Sequence, residues 1–168
     1  APNLSDLTRL DSARTNEFEV PSTGLEPEKY IGYEVGIKAQ VPRVSSQLSL
    51  FYTDIRDRIT RVPTGAMTPD GETIVTKANV GNGHSKGIEV GAAWQMPWFG
   101  GGFTLFGNTT YIDGELTTFP TSAPVVATEP MDRTMPWSGQ AGLRWEAPEN
   151  PLWTEAVGYF AAKADRLS

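Results

Sequence analysis

Residue types that can do chemistry are scarce in this sequence. Its 168 residues include no cysteine and one histidine, His84. Without cysteine there is no thiolate for a zinc site, an iron–sulfur cluster or a nucleophile, and one imidazole cannot supply all the ligands of a transition-metal site. We therefore interpret His84 as a polar residue at a bend, with a metal or ligand contact as the alternative.

Carboxylates offer two further arrangements. Asp54 and Asp57 stand three positions apart, and on a strand an odd spacing places side chains on opposite faces, so a charge-compensated strand end is favoured over a general acid–base pair. Asp113 and Glu115 share a face if their strand continues, but two carboxylates alone make a poor Ca²⁺ site. The sequence therefore predicts no catalytic residue, no metal site and no cofactor, and an enzyme is the least favoured class.

The charge balance limits the partners. Lys and Arg number 14 against 20 Asp and Glu, for a net charge of −6. The counterion release that drives binding to a phosphate backbone has no obvious source here, so we expect no nucleic-acid partner. No apolar run approaches the length of a membrane-spanning helix, which excludes a helical membrane protein.

Alternation of apolar and polar residues with period 2 recurs along the chain and predicts β-strands. It is clearest over residues 30–39, 85–96 and 137–146. Further strands are predicted at 47–57, 103–113 and 152–163, and at 73–80, which we expect to continue into 85–96 through a bulge or bend at 81–83. The predicted fold is all-β, an antiparallel up-and-down meander of about six strands.

The three clear strands each have one face without charged residues. These faces run from Ile31 to Ala39, from Ile88 to Met96 and from Trp137 to Trp145, and we predict that they lie on one side of a continuous sheet. The opposite faces are polar or small. The polar residues predicted to share that side are Glu34, Lys38, Glu89, Gln95, Asn108, Gln140 and Arg144.

The links between strands alternate strictly in length. Links 41–46, 97–102 and 147–151 are short, whereas 58–72 and 114–136 are long and polar. Such sorting is typical of an outer-membrane β-barrel, with tight turns on one rim and long loops on the other. The aromatic residues beside the short links resemble an interfacial girdle: Trp94, Trp98, Phe99, Trp145 and Trp153.

Several short motifs occur in an order and spacing that resemble the late β-barrel region of TonB-dependent outer-membrane receptors. The motifs are LEPE at 25–28, YEVGIK at 33–38, YTDIRD at 52–57, NVG at 79–81 and GIE at 87–89. The stretch 142–168 is similar to the next hairpin of the family. The resemblance covers nearly the whole chain, with residues 1–24 and 117–136 contributing least.

The resemblance implies that residues 1–168 form part of a barrel of about 22 strands, filled by a plug domain. We expect the plug, the TonB box and the remaining strands to belong to a larger receptor. Its implied location is the bacterial outer membrane, and its implied partners are the membrane lipid, its own plug domain and the energy-transducing TonB complex. Its implied function is energised uptake of a scarce ligand of the siderophore, cobalamin or glycan class.

Within such a barrel, the seven polar-face residues above are expected to face the lumen. The two long links and the segment 1–24 are expected to share the extracellular rim and to hold residues without a packing role. We expect Arg61, Asp132 and Arg133 there as first contacts of the ligand. The alternative is a soluble β-sandwich that binds a carbohydrate by stacking it on Trp98 or Trp153.

Overall fold

Strands dominate the structure. A computed structural model describes residues 2–98, 101–132, 134–135, 137–149 and 151–163. These residues form one short helix and nine strands: α1 Leu4–Thr8, β1 Asp11–Arg14, β2 Glu17–Glu19, β3 Lys29–Val41, β4 Val44–Met67, β5 Thr73–Trp98, β6 Gly101–Thr118, β7 Ala127–Pro130, β8 Ser138–Glu146 and β9 Trp153–Ala161. The prediction of an all-β chain is confirmed.

The six long strands pair in chain order. Neighbouring strands pair in the order β3, β4, β5, β6, β8 and β9, and every pairing is antiparallel. This order confirms the predicted meander. Three short strands were not predicted, because three or four residues carry too little alternation to be recognised. Strands β1 and β2 form a hairpin whose second strand pairs with β5 in parallel, and β7 pairs with the distal end of β6.

The register confirms that the predicted apolar faces lie on one side of the sheet. In one row across the strands, Val35 opposes Leu50, which opposes Ile88, and that residue opposes Tyr111. In a lower row, Trp94 opposes Leu105, which opposes Leu143. Directly opposed residues of paired strands point to the same side, so these rows define one surface. We call it the apolar face.

The apolar face has no second layer over it in the part of the chain that the structure describes. Ile37 is 66% exposed and Val35 is 64% exposed, and the buried apolar residues among those described are Ile55 and Val75. A β-sandwich buries such a face against a second sheet, and the described strands form a single sheet. The alternative prediction of a soluble β-sandwich is therefore wrong.

Strand β4 reaches ten residues farther than predicted and has 24 residues, whereas β5, with 26 residues, is the continuous strand expected from 73 through the bend. Most of the link 58–72, predicted as a loop, is strand, because β4 continues to Met67 and pairs with the start of β5. The turn is closed by backbone hydrogen bonds from Thr68 to Glu72 and from Gly71 to Thr68. Gly71 has φ +85°, which glycine adopts without strain. The Asp-Gly pair at 70–71, a sequence typical of tight turns, lies in the turn of this projecting hairpin.

A double bulge interrupts the β4–β5 ladder where a bend was predicted. Ile55 opposes Gly83, Arg58 opposes Gly81, and Ile59 opposes Asn79. Strand β4 therefore has one extra residue between Ile55 and Arg58, and β5 has one extra residue between Gly81 and Asn79. The two insertions offset each other, so the pairing register is the same on both sides of the double bulge. A Cβ atom on Gly83 would overlap the backbone carbonyl oxygen of Glu115 on β6, so the close approach of β6 requires glycine there.

No helix in the described ranges is long and apolar enough to cross a membrane. The helix α1 is a single turn closed by reciprocal hydrogen bonds between Asn3 and Asp6, with donor–acceptor distances of 2.9 and 3.2 Å.

Candidate functional site

All seven residues predicted to face a lumen lie on one side of the sheet, opposite the apolar face. Lys38 opposes Gln47, Gln47 opposes Gly91, and Gly91 opposes Asn108, which opposes Gln140. The other members lie in neighbouring rows of the same surface: Glu34, Glu89, Gln95 and Arg144. We call this surface the polar face.

Two charged groups on the polar face, Glu34 and Arg144, have partners. The Ser49 hydroxyl donates to Glu34 Oε1 at 2.6 Å. The Arg144 Nε atom lies 2.9 Å from Glu146 Oε1, and its guanidinium carbon lies 4.6 Å from the centre of the Trp153 ring. Trp153 opposes Glu146 on the polar face and is not part of a girdle on the apolar side, which corrects that prediction.

A concavity of about 510 Å³ occupies the centre of the polar face. Its lining combines one cation with amides and hydroxyls: Lys38, Gln40, Ser45, Gln47 and Asn108. The small residues Gly91 and Ala93 form its floor. Amides and hydroxyls both donate and accept hydrogen bonds, so this surface can pack against a hydrated polar partner.

Aromatic residues bound the apolar face at both ends. The end beside the short turns, which we call the tryptophan edge, carries Trp94, Phe103 and Trp145. The opposite end, which we call the tyrosine edge, carries Tyr33, Tyr52 and Tyr111. The ten steps from Lys86 to Met96 span about 33 Å along the strand, or about 25 Å in height at a tilt of about 40°. That height matches the apolar band of an outer-membrane barrel. The predicted girdle members Phe99 and the Trp98 side chain lie outside the described residues.

The resemblance motifs meet at the double bulge. Asn79 Oδ1 accepts a hydrogen bond from the Glu26 backbone N–H at 2.8 Å, and Asn79 Nδ2 donates to the Glu26 and Asp57 carbonyls at 2.8 and 2.7 Å. Glu28 Oε1 accepts from the Ile59 N–H at 2.8 Å. The Asp57 carbonyl and the Ile59 N–H lie at the bulge, so Asn79 and Glu28 satisfy backbone groups there. Asn79 also ties the backbone of Glu26, which precedes β3, to the bulge. The sequence analysis used these motifs only for the family resemblance and did not predict their role in holding the bulge.

Replacing Asn79 by alanine should loosen the double bulge. Three hydrogen bonds of about 1 kcal/mol each are lost, so we expect local opening to become easier by about 2–3 kcal/mol. Hydrogen exchange at Glu26 and Ile59 measures the change in the intact receptor. Gln95→Ala, an exposed carboxamide on the same strand but far from the bulge, is the matched control. Equal exchange in the two variants would show that the Asn79 contacts do not hold the bulge.

A buried ion pair joins three segments at the distal end of the sheet. Arg61 NH1 lies 2.6 Å from Glu17 Oε1, and the two side chains are 10% and 2% exposed. Arg61 NH2 donates to the carbonyls of Phe119 at 2.5 Å and Thr121 at 3.2 Å, and the Ser122 hydroxyl donates to Glu17 Oε1 at 2.7 Å. We call these five residues the rim junction.

The rim junction brings Glu17 of the segment 1–24 together with residues of both long links, Arg61 and 119–122, at one end of the sheet. It also corrects one expectation: Arg61 was predicted to have no packing role, yet it is nearly buried and bound on three sides. Burial lowers the pKa of Arg61, and the Glu17 carboxylate opposes that shift. Asp132 is exposed in a turn after β7, and Arg133 lies outside the described residues.

The structure provides no group of three or more His, Asp or Glu side chains, among those it describes, that could hold a metal ion. Asp113, one member of the carboxylate pair considered for Ca²⁺, lies 3.7 Å from the Lys86 ammonium. Asp54 binds Arg56 at 2.6 Å, as expected for a charge-compensated strand end. The candidate functional features of the described residues are therefore the two faces of the sheet and the rim junction.

Comparison with protein families agrees with this architecture. Residues 1–167 match the family model described as TonB dependent receptor-like, beta-barrel. The chain has no significant match among curated proteins or solved structures. A match over nearly the full length, on a two-faced antiparallel meander, shows that the chain belongs to the TonB-dependent receptor β-barrel family.

Proposed function

We propose that residues 1–168 form a wall segment of a receptor barrel that takes up a scarce ligand across the bacterial outer membrane, using energy from the TonB complex. The single observation that supports this best is the division of the meander into an apolar face about 25 Å high and a polar face. The family match supports the barrel assignment. No chemistry of its own is proposed for this segment.

In this proposal the apolar face contacts lipid and the polar face lines the lumen. Apolar side chains without charge suit a medium that cannot solvate ions, and the polar concavity suits the hydrated surface of the receptor's own plug domain. Glu34, Lys38 and Asn108 would then contact the plug or the water around it. Glu89, Gln95, Gln140 and Arg144 belong to the same proposed lining.

Arginine substitutions at equal depth on the two faces test this orientation. Val90→Arg places a cation in the middle of the apolar face, and we expect it to destabilise the assembled barrel by about 2–4 kcal/mol. Gln47→Arg, on the neighbouring strand but the polar face, is the matched control and should cost far less. The measurement is urea unfolding of the whole receptor in lipid vesicles. Equal destabilisation by both substitutions would contradict the orientation.

We further propose that the rim segments make the first contact with the ligand, which belongs to the siderophore, cobalamin or glycan class. Asp132 and Arg133 remain proposed contacts, whereas the partners of Arg61 support a role in holding the rim together. An anionic ferric siderophore would favour arginines, and the rim offers arginines and carboxylates together.

Neutral substitution of the two proposed contacts tests this proposal. Asp132→Asn combined with Arg133→Gln changes no member of the rim junction and no residue of the β6–β7 hairpin. We expect ligand uptake and affinity of the whole receptor to fall by about tenfold or more, the equivalent of one or two lost contacts. Heat-dependent electrophoretic mobility checks barrel assembly. Unchanged affinity in an assembled barrel would remove Asp132 and Arg133 from the ligand site.

A further inference from the structure

Three steps in the sequence join an aspartate or asparagine to glycine: Asp70–Gly71, Asn82–Gly83 and Asp113–Gly114. In such a step the glycine nitrogen can attack the carbonyl carbon of the preceding side chain, because glycine has no Cβ atom to obstruct the approach. The product is a five-membered succinimide ring, which opens to an aspartyl or an isoaspartyl link. The reaction requires a glycine nitrogen that is free to move and a side chain that can fold back onto it.

Asp70 and Gly71 meet this requirement at the tip of the β4–β5 hairpin. Both residues are exposed, and a Cβ atom on Gly71 would have no neighbour within 4 Å. The turn that begins at Thr68 is closed by a hydrogen bond from the Gly71 N–H to the Thr68 carbonyl at 3.0 Å. Exposed loop tips open locally at a small cost in free energy. Local opening of this turn therefore frees the Gly71 nitrogen for attack.

The Asn82–Gly83 step lies inside strand β5 and is blocked. Gly83 opposes Ile55 on β4 and Leu116 on β6, so the sheet holds it from both sides. A Cβ atom on Gly83 would overlap the Glu115 carbonyl oxygen, which leaves no room for a tetrahedral intermediate. In an unfolded chain asparagine reacts faster than aspartate, since a neutral amide is a better electrophile than a carboxylate ionised at neutral pH. The fold thus protects the step that is intrinsically fastest.

The Asp113–Gly114 step repeats the chemistry of Asp70–Gly71 within a strand. Gly114 opposes Ser85 on β5, and its carbonyl accepts from the Met131 N–H at 2.9 Å. Asp113 lies 3.7 Å from the Lys86 ammonium. The chain must leave the ladder before the Gly114 nitrogen can reach the side-chain carbon, so this step is the matched comparison for the hairpin tip.

We propose that the link between Asp70 and Gly71 rearranges spontaneously to an isoaspartyl link, which makes the hairpin tip a self-modification site. The Gly71 nitrogen forms a bond to Asp70 Cγ, and the hydroxyl of the protonated carboxyl group leaves as water with the amide proton. Water then adds to the α-carbonyl carbon of the succinimide and breaks its bond to the Gly71 nitrogen. The main chain now passes through Cγ. The water lost in the first step is regained in the second, so no oxidant, reductant or cofactor is required.

The isoaspartyl link changes the tip in two ways. It adds one carbon atom to the backbone of the turn, and it moves the carboxylate from the side chain to Cα. The hydrogen bonds from Gly71 to Thr68 at 3.0 Å and from Thr68 to Glu72 at 2.8 Å both depend on the original spacing. The chemistry needs only this turn, whereas its location outside the cell rests on the proposed function. There the altered link lies beyond the reach of cytoplasmic repair enzymes and accumulates as the receptor ages.

The test incubates the whole receptor in lipid vesicles at neutral pH and follows its tryptic peptides by mass spectrometry. Peptides 62–77, 78–86 and 87–133 each hold one of the three steps. Electron-transfer fragmentation distinguishes isoaspartyl from aspartyl links. We expect isoaspartate to form at 70 about thirtyfold faster than at 113, the ratio expected when two more ladder hydrogen bonds must open. Equal rates at the two positions would overturn the proposal.

Denaturation is the control for the effect of the fold. In the receptor unfolded in urea, we expect Asn82 to react before Asp70. In the folded receptor we expect the reverse order, with Asn82 unchanged. The same order in both states, or a folded receptor that forms no isoaspartate at 70, would refute the assignment.

Asp70→Glu is the matched variant, because it keeps the charge and requires a larger ring, which closes far more slowly. It should form no altered link in peptide 62–77. An isoaspartyl-specific methyltransferase, supplied outside intact cells with labelled S-adenosylmethionine, should label the wild-type receptor more than this variant. Equal labelling of the two in intact and in broken cells would overturn the proposal. A difference that appears only in broken cells would contradict the proposed orientation and leave the chemistry standing.

Discussion

The isolated 168-residue segment should fail to form a compact monomer in plain buffer. Its apolar face is exposed over the whole height of the meander, and β3 and β9 each leave one edge unpaired among the described strands. Exposed apolar surface and open edges both drive association. We expect large oligomers by analytical ultracentrifugation in buffer and a dispersed species in detergent micelles.

A variant with charges on the apolar face distinguishes association through that face from association through the open strand edges. Replacing Leu50, Ile88 and Tyr111 by lysine interrupts one row of the apolar face on the interior strands β4, β5 and β6 and leaves the edge strands β3 and β9 unchanged. We expect this variant to associate less in buffer and to lose its benefit from detergent. If its oligomers are as large as those of the original segment, the open edges dominate. A compact, stable monomer of the original segment in buffer would contradict the prediction.

Breaking the rim junction should have the largest effect of any single substitution at the distal end. Arg61→Met leaves the Glu17 carboxylate buried without its cation, and such a loss costs about 3–5 kcal/mol. This substitution weakens the contacts among β2, β4 and the loop after β6. We therefore expect these parts to separate from one another before the six-stranded meander unfolds. Hydrogen exchange of residues 17–19 and 119–122 in the whole receptor should rise steeply, with little change in β8.

Two further variants give this prediction its controls. Glu17→Met combined with Arg61→Met removes both buried charges, and we expect most of the protection to return because no unpaired ion remains. Lys29→Gln breaks an ion pair of the same 2.6 Å length whose side chains are 59% and 38% exposed, and it should change little. Equal effects of Arg61→Met and Lys29→Gln would mean that burial does not make the junction important.

The faces of the meander could be predicted from the sequence because one rule, the alternation of side chains along a strand, determines them. Alternation assigns faces wherever a strand is regular, and from Ile31 to Ala39 and from Ile88 to Met96 both apolar faces were assigned correctly. The rule stops at the double bulge, since an extra residue exchanges the two faces for every residue that follows. The position of the bend was predictable from its glycines, but the strand carrying each extra residue was not.

The rim junction could not be predicted from alternation, because its residues are far apart in the sequence. Glu17 and Arg61 are 44 positions apart, and Glu17 and Ser122 are 105 positions apart. No local pattern links them, so Arg61 looked like a free cation in a polar loop. The Asn-x-Gly motif at 79–81 was the one signal that could have marked a structural asparagine, because its glycine implied an irregular backbone needing hydrogen-bond partners.

The β4–β5 hairpin projects far beyond the tyrosine edge. From Thr73 to Lys86 its arm is about 43 Å long, and a Cβ atom on Gly71 in its turn would have no neighbour within 4 Å. In the proposed orientation this turn lies outside the cell, where an antibody can reach it. We expect that an epitope inserted between Asp70 and Gly71 would then report how many receptors a living cell displays without weakening ligand uptake.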